Sequence, residues 1–304
     1  MSGHLLSIGE CMVELSQAGD GLLRKGFAGD TFNTAWYARL CAAPGWQVDY
    51  LTALGDDQTS QDMLGFMAHA GIGTDAIRRL PGRMPGLYMI HLKDGERSFS
   101  YWRETAAARQ LAANGDHLRR ALESADLLYF SGITLAILPD ADAETLLSEL
   151  RRAKAAGKRV AFDPNIRPRL WKDRARMLSV ISEGARASTL VLPSFDDEAQ
   201  HFGDASVAAT LDRYTGLGVA DIVVKDGPNG ATLRFAGRED MHVPATMVER
   251  IVDTTSAGDS FNGAFLAHYL EHGDPAAAAA FAAGIAARVI GEHGALIPRE
   301  KLFA

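Results

Sequence analysis

Near its carboxyl end the chain carries three small residues and a carboxylate directly in front of a helix-like stretch. The small residues are Ser256, Ala257 and Gly258, the carboxylate is Asp259, and the periodic stretch covers residues 261–270. Small residues at a helix N-terminus let backbone N–H groups approach an anion, and the helix dipole favours negative charge there. A carboxylate beside these donors can take the proton of an attacking hydroxyl while the donors stabilise a transferred phosphoryl group. The same residue types also form ordinary helix N-caps, so the pattern alone leaves both interpretations open.

A second polar group lies near the amino end, where residues 28–35 read Ala-Gly-Asp-Thr-Phe-Asn-Thr-Ala. Gly29 permits close approach of the backbone to a ligand. Asp30 and Asn33 carry groups that hydrogen-bond to hydroxyls. Taken alone, this stretch is more typical of a helix N-cap than of a binding site.

Residues 223–230 join a β-rich run to two glycines. Lys225 can face a phosphate, and Gly227 and Gly230 leave room for a nucleotide. Asn229-Gly230 is also a strong signal for a hairpin turn. A hairpin and a phosphate contact are compatible, so both interpretations are kept.

Two arginines stand where ligand-contacting groups are expected. Arg103 ends a β-rich run that contains Tyr101, Tyr88 lies in the run before it, and Arg167 follows a strand end. Strand ends carry ligand-contacting residues in α/β proteins, and a bidentate arginine is a good partner for a carboxylate. A single arginine is more often a solvated surface charge, but the aromatic neighbours favour a site that takes a sugar.

Strand-like and helix-like stretches alternate along most of the chain and must position these residues. The alternation predicts a parallel sheet covered by helices, hence an α/β fold. The predicted strands are 5–9, 48–54, 126–130, 159–163, 189–193 and 221–225, and the predicted helices include 32–41, 60–70, 141–156 and 261–270.

Two segments, residues 11–30 and 82–104, interrupt the alternation with strand-like sequence. Asp94-Gly95 between two β-rich runs predicts a hairpin in the second segment. We expect the two segments to build a small second sheet, a lid over the main layer. With no linker or repeat in the sequence, the chain is interpreted as a single domain over residues 1–304.

The composition of the 304 residues excludes several classes of protein. A net charge of -7 does not favour unspecific nucleic-acid binding, although a local cluster of arginines still permits a small anionic ligand. Cys11 and Cys41 lack the spacing of a disulfide scaffold or a zinc site, which suggests a cytoplasmic location. The sequence carries no signal-peptide pattern and no membrane-spanning stretch. It also has no G-x-x-x-x-G-K-[ST] loop and no G-x-G-x-x-G after the first strand.

The segment DTTSAGDSFNGAFL resembles the C-terminal signature D-T-x-G-A-G-D of the ribokinase-like (PfkB-type) carbohydrate kinases, and residues 28–35 and 223–230 resemble two further family motifs. Ser256 stands where many members have glycine. The resemblance implies that Asp259 is the catalytic base and that residues 256–258 form the anion hole. It also implies nucleotide contacts, which fall on Ser194, Lys225, Gly227, Gly230, Thr254 and Gly258. The family's N-x-x-E motif, which helps to position the metal, is incomplete here, because residues 193–198 contain no asparagine. The resemblance leaves Asp197 or Glu198 as the residue that would fill this role.

Other segments resemble one subfamily of these kinases nearly end to end, from about residue 8 to 299. They include GECMVELS, GERSFSYWRETAAA and FDPNIRPRLW, and the subfamily phosphorylates 2-keto-3-deoxygluconate to 2-keto-3-deoxy-6-phosphogluconate. The resemblance implies an ATP-dependent phosphotransferase with an alcohol acceptor. The implied substrate-binding residues are Gly29, Asp30, Asn33, Tyr88, Tyr101, Arg103, Arg167 and Asp259. The alternatives are another sugar kinase of this fold, such as a fructokinase, and a sugar-sensing protein without activity.

The resemblance further implies a three-layer α/β/α ribokinase-like fold with a β lid. ATP is expected in a groove near residues 192–198, 225–230 and 254–294, with Mg²⁺ bridging its phosphates. A lid closing over the sugar would exclude water as a competing acceptor. The free edges and apolar faces of such a lid predict a homodimer or a higher homo-oligomer.

Overall fold

The computed structural model describes residues 3–19, 21–93 and 96–303. Its strands are β1 (Gly3–Ile8), β2 (Met12–Gly19), β3 (Leu22–Ala28), β4 (Trp46–Leu51), β5 (Ala53–Leu54), β6 (Arg78–Arg79), β7 (Leu87–Lys93), β8 (Glu96–Trp102), β9 (Leu127–Ser131), β10 (Arg159–Asp163), β11 (Leu190–Val191), β12 (Asp221–Lys225), β13 (Ala231–Arg234) and β14 (Met241–Val243). Its helices are α1 (Asp30–Cys41), α2 (Gln58–His69), α3 (Gly115–Ser124), α4 (Gly132–Ile137), α5 (Asp140–Ala155), α6 (Arg174–Arg186), α7 (Phe195–Phe202), α8 (Val207–Gly216), α9 (Ala257–His272), α10 (Pro275–Ile290) and α11 (Arg299–Leu302).

Within these described ranges, eight strands form the main sheet in the order β14-β13-β12-β11-β10-β9-β1-β4. Neighbours from β4 to β12 run parallel, whereas β13 and β14 are added antiparallel at one end. The carboxyl ends of the parallel strands therefore open onto the same edge of the sheet. Ligands of open α/β sheets bind at such an edge.

Helices cover both faces of this sheet, because successive side chains of a strand point to opposite faces. In β9, Tyr129 belongs to the core shared with α1, α9 and α10, whereas Phe130 belongs to the core shared with α5 and α6. In β12, Val223 and Val224 divide in the same way. The prediction of a three-layer α/β/α fold is confirmed.

A second sheet of four strands lies beside the first, in the order β3-β2-β7-β8. Its strands come from the two segments that interrupt the sequence alternation, with β2 and β7 paired parallel and the other neighbours antiparallel. The predicted Asp94-Gly95 turn lies outside the described residues. Whether this sheet acts as a lid stays a prediction.

The bounds of several elements differ from the sequence expectation. Residues 48–54 divide into β4 and β5, which belong to two different sheets, because β5 pairs with β6 instead of following β4. Residues 226–230 form a five-residue loop with a 3₁₀ turn at Gly227–Asn229, so the hairpin between β12 and β13 is real but its turn is longer than two residues. Across the described ranges, the helices are too short or too polar to span a membrane.

Candidate active site

A cavity of about 880 Å³ opens at the carboxyl edge of the main sheet, under the second sheet. It brings together fifteen of the residues singled out in the sequence: Gly29, Asp30, Asn33, Tyr88, Tyr101, Arg103, Arg167, Ser194, Asp197, Lys225, Thr254, Ser256, Ala257, Gly258 and Asp259. They come from both ends of the chain. The separate motifs of the sequence therefore meet in this cavity.

The N-terminus of α9 forms one wall of this cavity. The first turn of a helix leaves backbone N–H groups without a helical acceptor, so Gly258 and Asp259 can present theirs to an anion. The loop before the helix is fixed by Asp253, whose carboxylate accepts bonds from the N–H groups of Thr255 and Gly294, both at 2.9 Å. The segment from 253 to 259 is therefore a helix N-terminus with a braced approach.

Asp259 lies in this first turn with one carboxylate oxygen held from two sides. Its Oδ2 accepts a hydrogen bond from Asn33 Nδ2 at 2.9 Å and another from Ser256 Oγ at 3.2 Å. Burial and the nearby Asp30 carboxylate, opposed by the Asn33 hydrogen bond, together raise the pKa of Asp259 to about 7. A carboxyl group with this pKa exchanges protons near neutral pH, which suits a general base.

A buried polar network underlies the anion-binding turn. Lys225, at the end of β12, donates to Asp163 Oδ2 at 2.8 Å and to Asn262 Oδ1 at 3.1 Å. Asn262 in turn donates to Asp163 at 2.6 Å and to the Tyr129 hydroxyl at 3.1 Å. A Cβ built on Gly258 would lie 3.5 Å from Lys225 Nζ. The ammonium group therefore sits directly behind the helix N-terminus, where it adds positive charge to the anion site.

The far end of the cavity holds a buried ion pair between Glu10, which follows β1, and Arg103, which follows β8. Glu10 is 2% exposed and Arg103 is 8% exposed. Burial raises the pKa of Glu10, and the adjacent Arg103 opposes that shift. The pair joins the main sheet to the second sheet, and it neutralises part of the charge that Arg103 would offer to an acidic ligand.

Arg167 is the more available of the two predicted arginines. Its side chain is 52% exposed and reaches only Asp197 Oδ2, at 3.5 Å, besides the neighbouring Ile166 carbonyl at 2.8 Å. It enters the cavity because Asn165, at a positive φ of 35°, turns the chain after β10. A ligand carboxylate can approach this guanidinium from the open side.

The second sheet contributes aromatic rings to the cavity wall. Tyr88 and Tyr101 face each other with ring centres 5.9 Å apart, and the Arg103 guanidinium lies 5.8 Å from the Tyr101 ring. The Tyr88 hydroxyl is bonded to Glu14. The Tyr88 hydroxyl is therefore held by Glu14, while Tyr88 lines the cavity together with Tyr101.

Three predicted residues are not brought to this cavity. Among the described residues, Gly227 and Gly230 stand outside its lining. Gly230 is explained by the hairpin instead, since its φ is +94° and a Cβ would lie 2.2 Å from the Val243 carbonyl oxygen. Glu198 does not line the cavity, because it is fully buried and bound to Arg213 and Tyr214, and this placement does not support it as a metal-positioning residue. Asp197, its alternative, does line the cavity.

Several cavity residues were missed in the sequence. Glu10 and Asn165 follow a buried strand and Asp163 ends one, which was the signal that could have found them, whereas Arg109 carried no such signal. Gly29 lines the cavity as expected, and its glycine is also needed for backbone packing, since a Cβ there would lie 2.1 Å from the Glu10 carbonyl oxygen.

A second cavity, of about 490 Å³, lies between α10 and the loop after β14. Its walls include Met247, Val248, Phe281 and Ile285, with Glu249 and Arg288 among the polar residues. Since α10 packs along α9, this apolar cavity neighbours the helix whose N-terminus lines the first.

Comparison with known proteins gives the same direction. A profile of the pfkB family of carbohydrate kinases matches residues 2–302. The chain is 40% identical to a 2-dehydro-3-deoxygluconokinase of Dickeya dadantii over 99% of both chains, and 40% identical to one of Escherichia coli K12 over the full length of both.

Solved structures with the same fold include a PfkB protein of Polaromonas, at 26% identity and a TM-score of 0.86 over the full length of both chains. A fructokinase of Xylella fastidiosa with bound ATP is 24% identical and has a TM-score of 0.83, covering 97% of this chain and 94% of that one. The second likeness supports the fold alone.

Proposed function

Because the chain belongs to the pfkB family of carbohydrate kinases, we propose that it transfers the γ-phosphate of ATP to a hydroxyl of 2-keto-3-deoxy-D-gluconate. The product is 2-keto-3-deoxy-6-phosphogluconate. The single observation that carries the proposal is that Asp259, beside a helix N-terminus, shares one cavity with Arg103 and Arg167. Full-length relatives with the same named activity support the choice of substrate.

In this reaction Asp259 accepts the proton of the substrate hydroxyl as its oxygen bonds to phosphorus and the bond to the leaving ADP breaks. With a pKa of about 7, the carboxylate is available at neutral pH and still basic enough to take the proton. The N–H groups at the start of α9 and the ammonium of Lys225 stabilise the charge on the transferred group.

The residues present fit ATP. The anion site at α9 suits phosphates, and the apolar cavity beside α10 is large enough for a purine ring. Lys225, Ser194, Thr254 and Gly258 would meet the phosphates, as the sequence expectation has it. Gly227 and Gly230 then act by shaping the β12–β13 loop.

The residues also fit Mg²⁺ in the form that phosphoryl-transfer enzymes use. Among the residues that the structure describes, no group of three or more His, Cys, Asp or Glu side chains is arranged to hold a metal. Mg²⁺ needs no such cage when phosphates and waters supply most of its ligands. Asp197 would help to hold it, and the ion would neutralise phosphate charge.

The substrate carboxylate is assigned to the two predicted arginines that line the cavity. Arg167 offers an exposed guanidinium. Arg103 stays paired with Glu10 and offers only the part of its guanidinium that Glu10 does not contact. Asp30 and Asn33 would bind hydroxyls, and the rings of Tyr88 and Tyr101 would cover the carbon chain. A sugar acid therefore fits this charge distribution better than a neutral sugar.

The second sheet is proposed to act as a lid and as the surface of self-association. Its strands carry Tyr88, Phe99 and Tyr101 into the cavity wall, so a small movement would close the site against water. Leu22, Leu23 and Trp102 of the same sheet are 67%, 45% and 55% exposed. Pairing two such sheets would cover these side chains in a homodimer.

A cytoplasmic location is proposed as well, since the reaction needs ATP.

The proposal is tested by measuring ATP consumption with 2-keto-3-deoxygluconate, fructose, ribose and adenosine in parallel. Asp259→Asn serves as the matched blank in every assay. We expect the sugar acid to give the highest kcat/KM. If fructose were the best acceptor, the sugar-acid assignment would be replaced by a fructokinase. If no acceptor raised ATP consumption above the blank, the chain would be a sugar-binding protein without kinase activity.

A further inference from the structure

Ser256 adopts a backbone conformation that serine rarely takes. Its φ and ψ are 65° and 13°, in the left-handed region, and it shares a positive φ with only one other non-glycine among the described residues, Asn165. Such a conformation strains a residue that has a Cβ, and glycine would adopt it without strain. A serine at this position therefore calls for a gain from its side chain.

The Ser256 side chain gives no capping bond to α9 in the described structure, although it stands at the N-cap. Its hydroxyl instead donates to Asp259 Oδ2 at 3.2 Å. The same oxygen accepts the bond from Asn33 at 2.9 Å, and Asn33 lies on α1, across the cavity wall. Two donors occupy the two lone pairs of Oδ2, so Oδ1 is the oxygen left to receive a proton.

We propose that Ser256 is a positioning residue for Asp259: with Asn33 it clamps Oδ2, turns Oδ1 toward the acceptor hydroxyl, and stabilises the ionised carboxylate. The inference rests on the proposed function, since it assigns Asp259 the part of the base. It concerns the hydroxyl of Ser256, whereas the anion site uses the backbone of this turn.

The charged and titratable groups around Asp259 set the sign of the effect. Asp30 on α1 and Asp163 on β10 disfavour its ionised form, and Lys225 on β12 favours it. Tyr129 on β9 faces the same charges, and burial keeps it neutral by raising its pKa. Against two carboxylates, a hydroxyl that donates to Oδ2 favours the ionised form, so its removal raises the pKa of Asp259.

The test compares Ser256→Gly and Ser256→Ala through the pH dependence of kcat/KM for the sugar acid. The acidic limb of this profile reports the base in the free enzyme. We expect the limb to move to higher pH by about 0.3–1 unit in both variants, the effect of one neutral hydrogen bond. Glycine removes the strain together with the hydroxyl, whereas alanine keeps the strain and loses only the hydroxyl.

Ser260→Ala is the matched control. Ser260 is one residue beyond Asp259 on the same helix, but its hydroxyl donates to the Ala257 carbonyl at 2.9 Å. Its acidic limb should coincide with that of the unchanged enzyme.

An unmoved limb in both Ser256 variants overturns the inference, as does a shift in glycine alone, which would assign the effect to the relief of strain. An equal shift in Ser260→Ala overturns it as well, because any lost hydroxyl near the helix start would then act alike. The outcome is separable from the proposed function. If Asp259→Asn retains turnover, the base assignment falls first. If Asp259→Asn is inactive and the limb is unmoved, only the part of Ser256 is lost.

Discussion

At the scale of single residues, Asp259 carries the chemistry. Asn is close in shape to Asp, but its amide group is not basic enough to accept a proton near neutral pH. We expect Asp259→Asn to lower kcat by roughly 10²–10⁴, the contribution of a general base. ATP binding should remain nearly intact, because the backbone N–H groups of α9 and Lys225 are unchanged. Turnover assays and calorimetric titration with ATP measure the two effects, and near-normal turnover would contradict the assignment.

The arginines make a prediction that depends on the charge of the substrate. Arg103→Ala and Arg167→Ala should each lower kcat/KM for the sugar acid about ten- to hundred-fold. This corresponds to a loss of about 1.5–3 kcal/mol of transition-state stabilisation, the value of a charge-assisted hydrogen bond. Against an analogue whose carboxylate is reduced to an alcohol, the loss should be much smaller. Lysine at either position should restore only part of the activity.

Arg176→Ala is the control for these variants, since Arg176 pairs with Asp140 outside the cavity. Its loss should leave kcat/KM unchanged for both the acid and its reduced analogue. Arg103→Ala also leaves Glu10 buried without its partner, so its thermal unfolding must be recorded beside the kinetics. Equal losses on the acid and on its reduced analogue would mean that the arginines serve as scaffold or phosphate ligands.

Sequence reasoning found cavity residues where a polar type stood next to a recognisable element. It failed where the contact depends on the direction of a side chain. Asp197 and Glu198 are neighbours, yet successive positions on a helix diverge by about a hundred degrees, and only Asp197 faces the cavity. Likewise, Arg103 was predicted to contact a ligand carboxylate, and its partner Glu10, 93 residues earlier in the chain, was not foreseen.

At the scale of elements, the crossing of α1 and α9 brings Asn33 to Asp259. The helices meet at Gly263, where a Cβ would lie 2.5 Å from the Thr34 carbonyl oxygen and 2.8 Å from the Ala38 nitrogen. Gly263→Ala must therefore separate the helices. We expect a loss of about 1–3 kcal/mol in the free energy of unfolding and a fall of about 10- to 100-fold in kcat/KM.

Gly65→Ala on α2 is the matched control, because nothing lies within 4 Å of the position of its Cβ. In that variant the free energy of unfolding should rise by about 0.5–1 kcal/mol, because alanine is favoured over glycine inside a helix, and the activity should be unchanged. Chemical denaturation and steady-state kinetics of both variants decide the matter. Full activity in Gly263→Ala would show that the helix crossing does not set the geometry of the site.

Some buried strands were predicted with their observed bounds, whereas the bounds of other elements were not. The strands β10 and β12 match the expected residues 159–163 and 221–225, since both are buried runs bounded by turn residues. By contrast, only Leu190–Val191 of the expected 189–193 is a strand. The helix α1 starts two residues earlier than expected, so Asp30 is on the helix rather than before it.

At the scale of the whole molecule, the exposed apolar side chains of the second sheet predict self-association. We expect sedimentation velocity to find a dimer at micromolar concentration, and Leu22→Lys with Leu23→Lys to convert it to monomer, because charge at an edge strand opposes pairing. Met247→Lys is the control: Met247 is 94% exposed but lies away from the sheet. A monomer at all concentrations would remove the dimer and leave the kinase untouched.

The hydrogen bond between Asn33 and Asp259 joins residues 226 positions apart. During synthesis the amino-terminal helix α1 leaves the ribosome long before α9, and its apolar face must wait for the partner that completes the core. Closing so long a loop is slow relative to local folding, and a waiting intermediate exposes surface that aggregates. We therefore expect the chain to gain its catalytic geometry in one of the last steps of folding, and chaperones that shield α1 until then to raise the yield of active enzyme.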